Sequence, residues 1–519
     1  MPRRPAASVI AAAAAAAGIV TIVSALTPAI ASRSDLVRGV LPPGFPEAAR
    51  TLALAAGLAL VWLSRGLARR KHRAWVLAVV VVAASAAAHL AKGLDVEEAA
   101  FSAAVLAALW RYRREFYAAG DSAALRPLVR VVLALGAVVG LMALRATDHM
   151  SFSDRIEDAL TLLAAALAVR ALYLWLRPLA GRVWQTAEER ARAERLVRAA
   201  GRDSLSYFAL RRDKAYFFSP TGRSFLAYRV VNGTALVSGD PIGNREELVA
   251  LVREFRRVAA ASAWRVAVVS ASEELLPLYR EAGLRTIYLG DEAVVTPALF
   301  SLDGRAIRKV RQSVHRLEKM GYRARIVRVG DVDEELRREL KEVSVEWRGR
   351  SPERGFSMAM DCLFAYPDGV LAIAEGPHGV DGFVHLVPAP ASGAWSLAAM
   401  RRRRRTPNGL MEFLIAESIA WARERGVPEL SLNFALFADV LRGDGGPRLL
   451  RLALRALDRL FQIERLLTFN RKFFPQWRRR YVCFERYGDL PALGLAFARA
   501  EGQLSPPGPW VRSDDLTAA

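Results

Sequence analysis

The sequence predicts an α-helical membrane domain followed by an α+β cytosolic region, and three observations carry that expectation. The 519 residues hold 74 Lys+Arg against 52 Asp+Glu, a net charge of +22, yet 53 % are apolar and the mean hydropathy is +0.16. A soluble basic protein should not be hydrophobic on average, and splitting the chain resolves the conflict. Residues 1–180 carry long apolar runs with 20 Lys/Arg and 11 Asp/Glu; residues 181–519 carry the remainder in ordinary globular sequence. The net charges are +9 and +13, so both parts are basic. This excludes a disordered or collagen-like chain and a simple soluble enzyme.

In the first part, apolar stretches at about 7–31, 51–64, 74–91, 99–110, 127–144 and 157–176 read as six spans. The second and fourth are short unless their basic flanks snorkel. Arg3 and Arg4 ahead of the first run resemble a signal peptide, but the run is long for one and further spans follow, so a retained helix is expected. Arg65, Arg69, Arg70, Lys71 and Arg73 lie between spans two and three, and Arg111, Arg113, Arg114 and Arg126 between four and five. The alternate loops are mixed or acidic. Positive charge inside therefore puts the N-terminus, and everything after the sixth span, in the cytoplasm.

Residues 181–203 read as a charged helical connector. From Tyr216 the segments KAYFFSPTG, SFLAYRVVNG and TALVSGDPIG form a strand meander between Gly/Pro/Asn punctuation. A helix, a strand, a short helix and another strand follow, giving a first unit over 204–330. A second unit of similar order occupies 331–505, and 506–519 reads as a disordered tail. In the second unit the strands GVLAIAEG, DGFVHLVPAP and AWSLAAM lead into the loop RRRRRTPNG, the helix LMEFLIAESIAWARERG and the strand PELSLNFA. That order is the heart of N-acetyltransferase-like (GNAT-like) folds, so tandem GNAT-like acyltransferase domains are expected. An acyl-CoA loop needs closely spaced glycines whose backbone N–H groups cradle the pyrophosphate. Only Gly409 is present, which favours another acyl donor and no cofactor. The two cysteines, Cys362 and Cys483, and the scattered histidines have no metal-ligand spacing, so no metal is expected.

Five ordered motifs carry a family resemblance: YFFSPTGRSFLAYRVVNGTALVSGDPIG (216–243), RKVRQSVHRLEKMGY (308–322), ERGFSMAM (353–360), MRRRRRTPNGLMEFLIAESIAWARERG (400–426) and FNRKFFPQWRRRYVCFE (469–485). Over roughly 200–500 the chain resembles the synthase region of bacterial phosphatidylglycerol lysyltransferases, the multiple-peptide-resistance family. The resemblance implies a multi-pass protein of the bacterial inner membrane with a cytoplasmic C-terminal region. It implies transfer of an amino acid, lysine foremost, from aminoacyl-tRNA to the glycerol hydroxyl of phosphatidylglycerol. Six spans leave room for a reduced membrane part, without the fused lysyl-tRNA synthetase of some actinobacterial relatives.

The same motifs supply candidate site residues. Lys472 matches a family lysine of the catalytic cleft, and it and Arg471 suit binding of the tRNA terminus or stabilisation of developing negative charge; a basic surface turn is the other reading. Trp477 and Phe474 read as a wall for a base or lipid chain, or as core. Arg401 follows SLAAM, where the family commonly reads Ser-Leu-Asp-Leu-Met-Arg and its aspartate and arginine line the substrate site, so the resemblance implies a catalytic role for Arg401. This chain has Ala398 at the aspartate position, so Glu412, Glu346 and Asp439 are candidate substitutes, altered amino-acid specificity is a second consequence, and lost activity a third. Arg402 and Arg403 suit phosphate contact with tRNA or lipid, or a solvated loop. Asn408 and Gly409 open a helix whose N-terminus suits an oxyanion or phosphate. Asp240 reads as turn chemistry, and Arg305, Arg308, Lys309, Gln312 and Arg316 share one helix face. A catalytically silent tRNA- or lipid-binding membrane protein is the alternative function, and Ala398 is its motive.

Overall fold

The computed structural model describes residues 6–27, 45–93, 96–118, 125–146, 154–176, 185–349, 355–436 and 463–504. Asp439 and the expected tail 506–519 lie outside the described residues. The chain divides into two compact units, one of residues 1–180 with 257–264, the other of 181–256 with 265–519.

The first unit contains the helices α1 (Ala6–Leu26), α2 (Phe45–Leu67), α3 (His72–Gly93), α4 (Val96–Arg111), α5 (Leu125–Ala146) and α6 (Asp154–Trp175). Among the described residues, two stretches are long and apolar enough to cross a membrane, Ala6–Leu26 and Asp158–Trp175; Ala53–Leu67 and His72–Ala87 are shorter apolar segments. Alanine and glycine let α1 and α2 cross closely: a Cβ on Gly18 would meet the Gly57 carbonyl oxygen at 2.7 Å, and the reverse holds for Gly57. Thr21 donates to the Ala17 carbonyl at 2.8 Å and accepts from Ser85 at 3.2 Å, as polar groups within an apolar bundle require. α6 turns Leu162 and Val169 outward, which suits an apolar surrounding rather than water.

The second unit is built on one mixed sheet. Its strands are β1 (Ala215–Phe218), β2 (Ser224–Val231), β3 (Thr234–Ser238), β4 (Ile242–Gly243), β5 (Arg265–Ser272), β6 (Arg285–Val295), β7 (Arg323–Arg328), β8 (Val370–Gly376), β9 (Gly379–Ala389), β10 (Ala394–Arg402), β11 (Leu430–Leu436) and β12 (Gln476–Phe484). The spatial order is β1-β2-β3-β5-β12-β6-β11-β10-β9-β8-β7, with β4 beside β2. The two meanders, β1-β2-β3 and β7-β8-β9-β10, each end in a parallel pair, β3 with β5 and β10 with β11. Such pairs need a crossover, and a helix supplies it each time: α8 (Leu248–Ala261) and α12 (Leu410–Glu424). The helices α7 (Ala187–Ala200), α9 (Leu276–Glu281), α10 (Arg308–Lys319), α11 (Glu334–Arg348), α13 (Ile463–Asn470) and α14 (Leu490–Ala500) complete the unit. α7 opens on a capping box in which Thr186 and Glu189 satisfy each other's backbone N–H groups, and Asp333 caps α11 through Leu336 N.

The late strand β12 makes the sheet continuous, because it enters between β5 and β6, two strands nearly 200 residues earlier in the chain. β6 in turn pairs with β11. A buried ion cluster marks the junction. Arg480 of β12 donates to Glu292 of β6 at 2.9 Å through Nε and to Asp203 at 2.8 Å. Glu292 also accepts from Ser204 and Ser431, both at 2.5 Å, and Ser396 donates to the Ser204 carbonyl at 2.6 Å. Burial would push the Glu292 carboxyl up, but Arg480 and the two hydroxyls together hold it below its ordinary value. Asp240, expected as turn chemistry, is partly buried nearby and accepts from Tyr279 at 2.7 Å and from the Ser272 N–H.

Removing one member of a buried pair strands the other charge at about 3–5 kcal/mol. Arg480→Ala should therefore destabilise the full-length protein by that order in denaturant unfolding. The Arg480→Met/Glu292→Gln double variant should cost clearly less than the single change, and equal losses would refute this account of the junction.

Candidate active site

β10 and β11 pair only at Trp395–Leu430 and Ser396–Ser431, and beyond these residues no further pairing joins them. A bulge at Ala398 accompanies the divergence. The splay is flanked by two segments. On one side, residues 355–360 are held by Glu501, which accepts from Phe356 N at 2.9 Å and from the Ser357 hydroxyl at 2.9 Å. Asn433 of β11 reaches the Met358 carbonyl at 3.2 Å. The fully buried Lys214 lies under the Phe356 ring and donates to the Phe208 carbonyl at 2.6 Å and Ser238 at 2.7 Å; burial lowers its ammonium to about 7. On the other side, Asn470 at the end of α13 donates to the Leu432 carbonyl at 3.2 Å, tying the turn Arg471–Phe473 to β11.

That tie brings two sequence-predicted residues together. Lys472 Nζ donates to Glu412 Oε1 at 2.6 Å, and the Phe469 ring lies 5.4 Å from the ammonium. Both side chains remain partly open to solvent, at 35 % and 18 %. Glu412 stands in the first turn of α12, which begins at Gly409 in the left-handed region (φ 93) with no side-chain cap. The end of a helix without a capping side chain keeps backbone donors for an anion. Gly409 is also required sterically, since a Cβ there would meet Ser313 of α10 at 2.6–2.7 Å. Arg316 of α10 donates to the Asn408 carbonyl, so this loop is fastened to the basic helix.

The remaining predicted residues are distributed around this pair. Arg401 is buried and opposite Phe383 in register; directly paired residues share a sheet face. Phe383 packs with Leu340 and Val343 of α11, so Arg401 belongs to the α11 face, whereas Val384, in the next position, packs with α12. Arg402 donates to Thr406 at 2.7 Å and its guanidinium lies 6.0 Å from the Trp347 ring. Arg403 and Glu346 meet at 3.3 Å, and Glu346 also accepts from Arg404 N at 2.7 Å. These two hold the loop in shape. Arg471 is exposed, and Trp477 is half-buried against the α10–α12 core. Ala398 is core, packed with Phe356, Met358 and Phe434. Phe474 is 60 % exposed, with its backbone in the left-handed region (φ 51), which corrects the reading of it as core.

Sequence reasoning missed the Arg480–Glu292–Ser431 cluster directly under the splay. The available signal was the pair Asp291–Glu292 inside an apolar strand, a costly placement unless cations arrive from elsewhere. His385, one of the histidines without metal-ligand spacing, is buried beside Arg401. Burial foremost, and then the Arg401 charge, lower its imidazole to about 3.

The family profile described as "Phosphatidylglycerol lysyltransferase, C-terminal" matches residues 194–484. The chain belongs to this phosphatidylglycerol lysyltransferase C-terminal family. It is 37 % identical over 388 residues to the lysylphosphatidylglycerol biosynthesis bifunctional protein LysX of Rhodococcus jostii, covering 72 % of this chain and 35 % of that protein. LysX of Mycolicibacterium vanbaalenii is 32 % identical, across 95 % of this chain and 50 % of the relative. The chain thus spans a third to a half of these two curated relatives. L-PGS from Bacillus licheniformis superposes with a TM-score of 0.55 at 25 % identity, covering 61 % of this chain and 97 % of that one. The C-terminal domain of a putative lysylphosphatidylglycerol synthetase from Agrobacterium fabrum gives 0.53 at 25 %, covering 62 % and 99 %. With them this lysyltransferase-family region shares a GNAT-like acyltransferase fold.

Between about pH 6.5 and 3 the unfolded chain binds a proton at His385 that the folded chain refuses, so stability is full above that window and falls with acid. His385→Leu should flatten this limb of the stability–pH curve. Gly409→Ala should cost about 1–3 kcal/mol in unfolding experiments, from its positive φ and the contact with α10.

Proposed function

We propose that the protein transfers an amino acid, most readily lysine, from aminoacyl-tRNA to the glycerol hydroxyl of phosphatidylglycerol. The Lys472–Glu412 pair, beside the β10/β11 splay and at the N-terminus of α12, carries this reading. Membership of the lysyltransferase family supports it. The reaction exchanges one ester for another. The lipid hydroxyl oxygen bonds to the aminoacyl carbonyl carbon, the carbon–oxygen bond to the tRNA ribose breaks, and the hydroxyl proton passes to the released ribose oxygen. Little driving force is needed, so positioning and charge stabilisation are the protein's task. Lys472, oriented by Glu412, faces the negative charge of the tetrahedral intermediate, and the free N–H groups of α12 add to it. Glu412 is also the carboxylate best situated to serve the proton transfer in the absence of an acid at Ala398, since Glu346 is engaged by Arg403 and Arg404 N.

Arg402, Asn408, Gly409, Arg471 and Trp477 form the proposed surroundings for the two anionic substrates, with Arg402 and Arg471 the candidates for phosphate contact; Arg401, on the α11 face by register, and Arg403, bonded to Glu346, are left out of them. The proposed organisation is a membrane module over 1–180, a connector over 181–203 and two GNAT-like halves divided near 330. Its proposed setting is the bacterial inner membrane, crossed several times, with the second unit cytoplasmic. A silent binding protein is less well supported, because an ammonium–carboxylate pair partly open to solvent beside a splayed strand pair is equipped for chemistry.

Membranes containing the protein, given labelled lysyl-tRNA and phosphatidylglycerol, should form a labelled aminoacyl lipid. No labelled lipid with any aminoacyl-tRNA would refute the proposal. Lys472→Ala should lower kcat by roughly 10²–10³-fold in a protein that unfolds at the wild-type temperature, and full activity in that variant would remove Lys472 from the site.

A further inference from the structure

Two apolar tips stand beside the Lys472 turn, and neither the core nor the proposed chemistry uses them. Phe300 and Phe473 meet with ring centroids 6.5 Å apart. One residue before the first, Leu299 is 79 % exposed; one residue after the second, Phe474 is 60 % exposed. Their loops therefore adjoin. Isolated exposed apolar residues are ordinary, but here the presentation is built. Phe474 is held in the left-handed region, an unfavourable conformation for a bulky side chain. The loop behind Leu299 is gripped by two cations: Arg423 donates to the Phe300 carbonyl at 3.3 Å, and Arg311 to the carbonyls of Leu302 at 2.5 Å and Gly304 at 3.0 Å. Arg471, exposed in the neighbouring turn, extends this basic collar.

We propose that Leu299 and Phe474 form a knuckle that dips into the interface of an anionic bilayer and delivers lipid headgroups to the adjacent Lys472–Glu412 pair. Apolar tips that reach the acyl boundary, ringed by arginines at the depth of lipid phosphates, are the chemistry of interfacial docking. An RNA end is the competing occupant. Phe474 has a face on which a base can stack, but Leu299, the more exposed of the two, has none, and an aliphatic tip beside an aromatic one suits hydrocarbon. The inference rests on the proposed use of a membrane lipid at this site, although docking can be measured without turnover.

The test uses the full chain in nanodiscs of phosphatidylcholine, with or without phosphatidylglycerol. L299C and F474C, in a C362S background that leaves only the buried Cys483, carry an environment-sensitive fluorophore, and E334C on α11 is the control. In discs containing phosphatidylglycerol, the probes at 299 and 474 should shift to the blue and be quenched by lipid-borne nitroxides, while the control stays unquenched. Probes at 299 and 474 that remain as water-exposed as the control would overturn the proposal. In turnover, L299D/F474D should raise the KM for phosphatidylglycerol by about tenfold, with a much smaller change in kcat and none in the KM for aminoacyl-tRNA. A rise confined to the KM for aminoacyl-tRNA would assign the knuckle to RNA and overturn it. If the wild-type chain makes no aminoacyl lipid, the proposed activity falls, and the quenching result alone decides the docking.

Discussion

The second unit depends on one constraint: a strand from the end of the chain must sit in the middle of the sheet. β12 lies between β5 and β6, and through β6 it joins both halves into a single surface. Backbone pairing alone would leave charges at the junction unpaid for, since Arg480 and Glu292 are almost wholly buried. They satisfy one another instead. Arg480 serves Glu292, Asp203 and Ser204 with its guanidinium fork, and Glu292 takes two hydroxyls as well. A planar, multi-donor cation suits such a cluster where a lysine would not.

The same constraint shapes the candidate site. Ser396 and Ser431 are the last paired residues before β10 and β11 part, and both are bonded into the junction, Ser431 to Glu292 and Ser396 to the Ser204 backbone. The closed end of the splay is thus pinned to the buried Arg480–Glu292 network. Just before β12, the chain passes through α13 and the turn with Lys472, so the strand that closes the sheet also delivers the lysine. Asn470 holds that turn against β11, and Glu412 meets it from α12. The proposed transfer chemistry, and the knuckle of Leu299 and Phe474 beside it, both follow from where this late segment enters.

Much of the fold was legible locally. The punctuated segments before Gly239 and after Gly369 form the two meanders, and the apolar periodicity of LMEFLIAESIAWARERG matches α12, which begins at the uncapped Gly409. In the site, Lys472 and Glu412 were both singled out and do meet, but Arg403 and Glu346 prove to hold a loop, and Arg401 lies on the other face of the sheet by register. Such differences follow from parity and pairing. A one-residue step in a strand reverses its face, and the bulge at Ala398 shifts that parity at the point where the family pattern is read.

By itself, the sequence determined the division into an apolar helical part and a basic α+β part, the order of the meanders and helices, and the family motifs. These are properties of composition, period and turn chemistry, which act over a few residues. Only the tertiary structure decided that β12 is inserted between β5 and β6, that Glu292 is matched by Arg480, and that Lys472 finds Glu412 sixty positions away. The physical reason is burial. Which charge can be tolerated inside, and which carboxylate an ammonium will meet, is settled by contacts between segments far apart in the chain, and no local pattern encodes them.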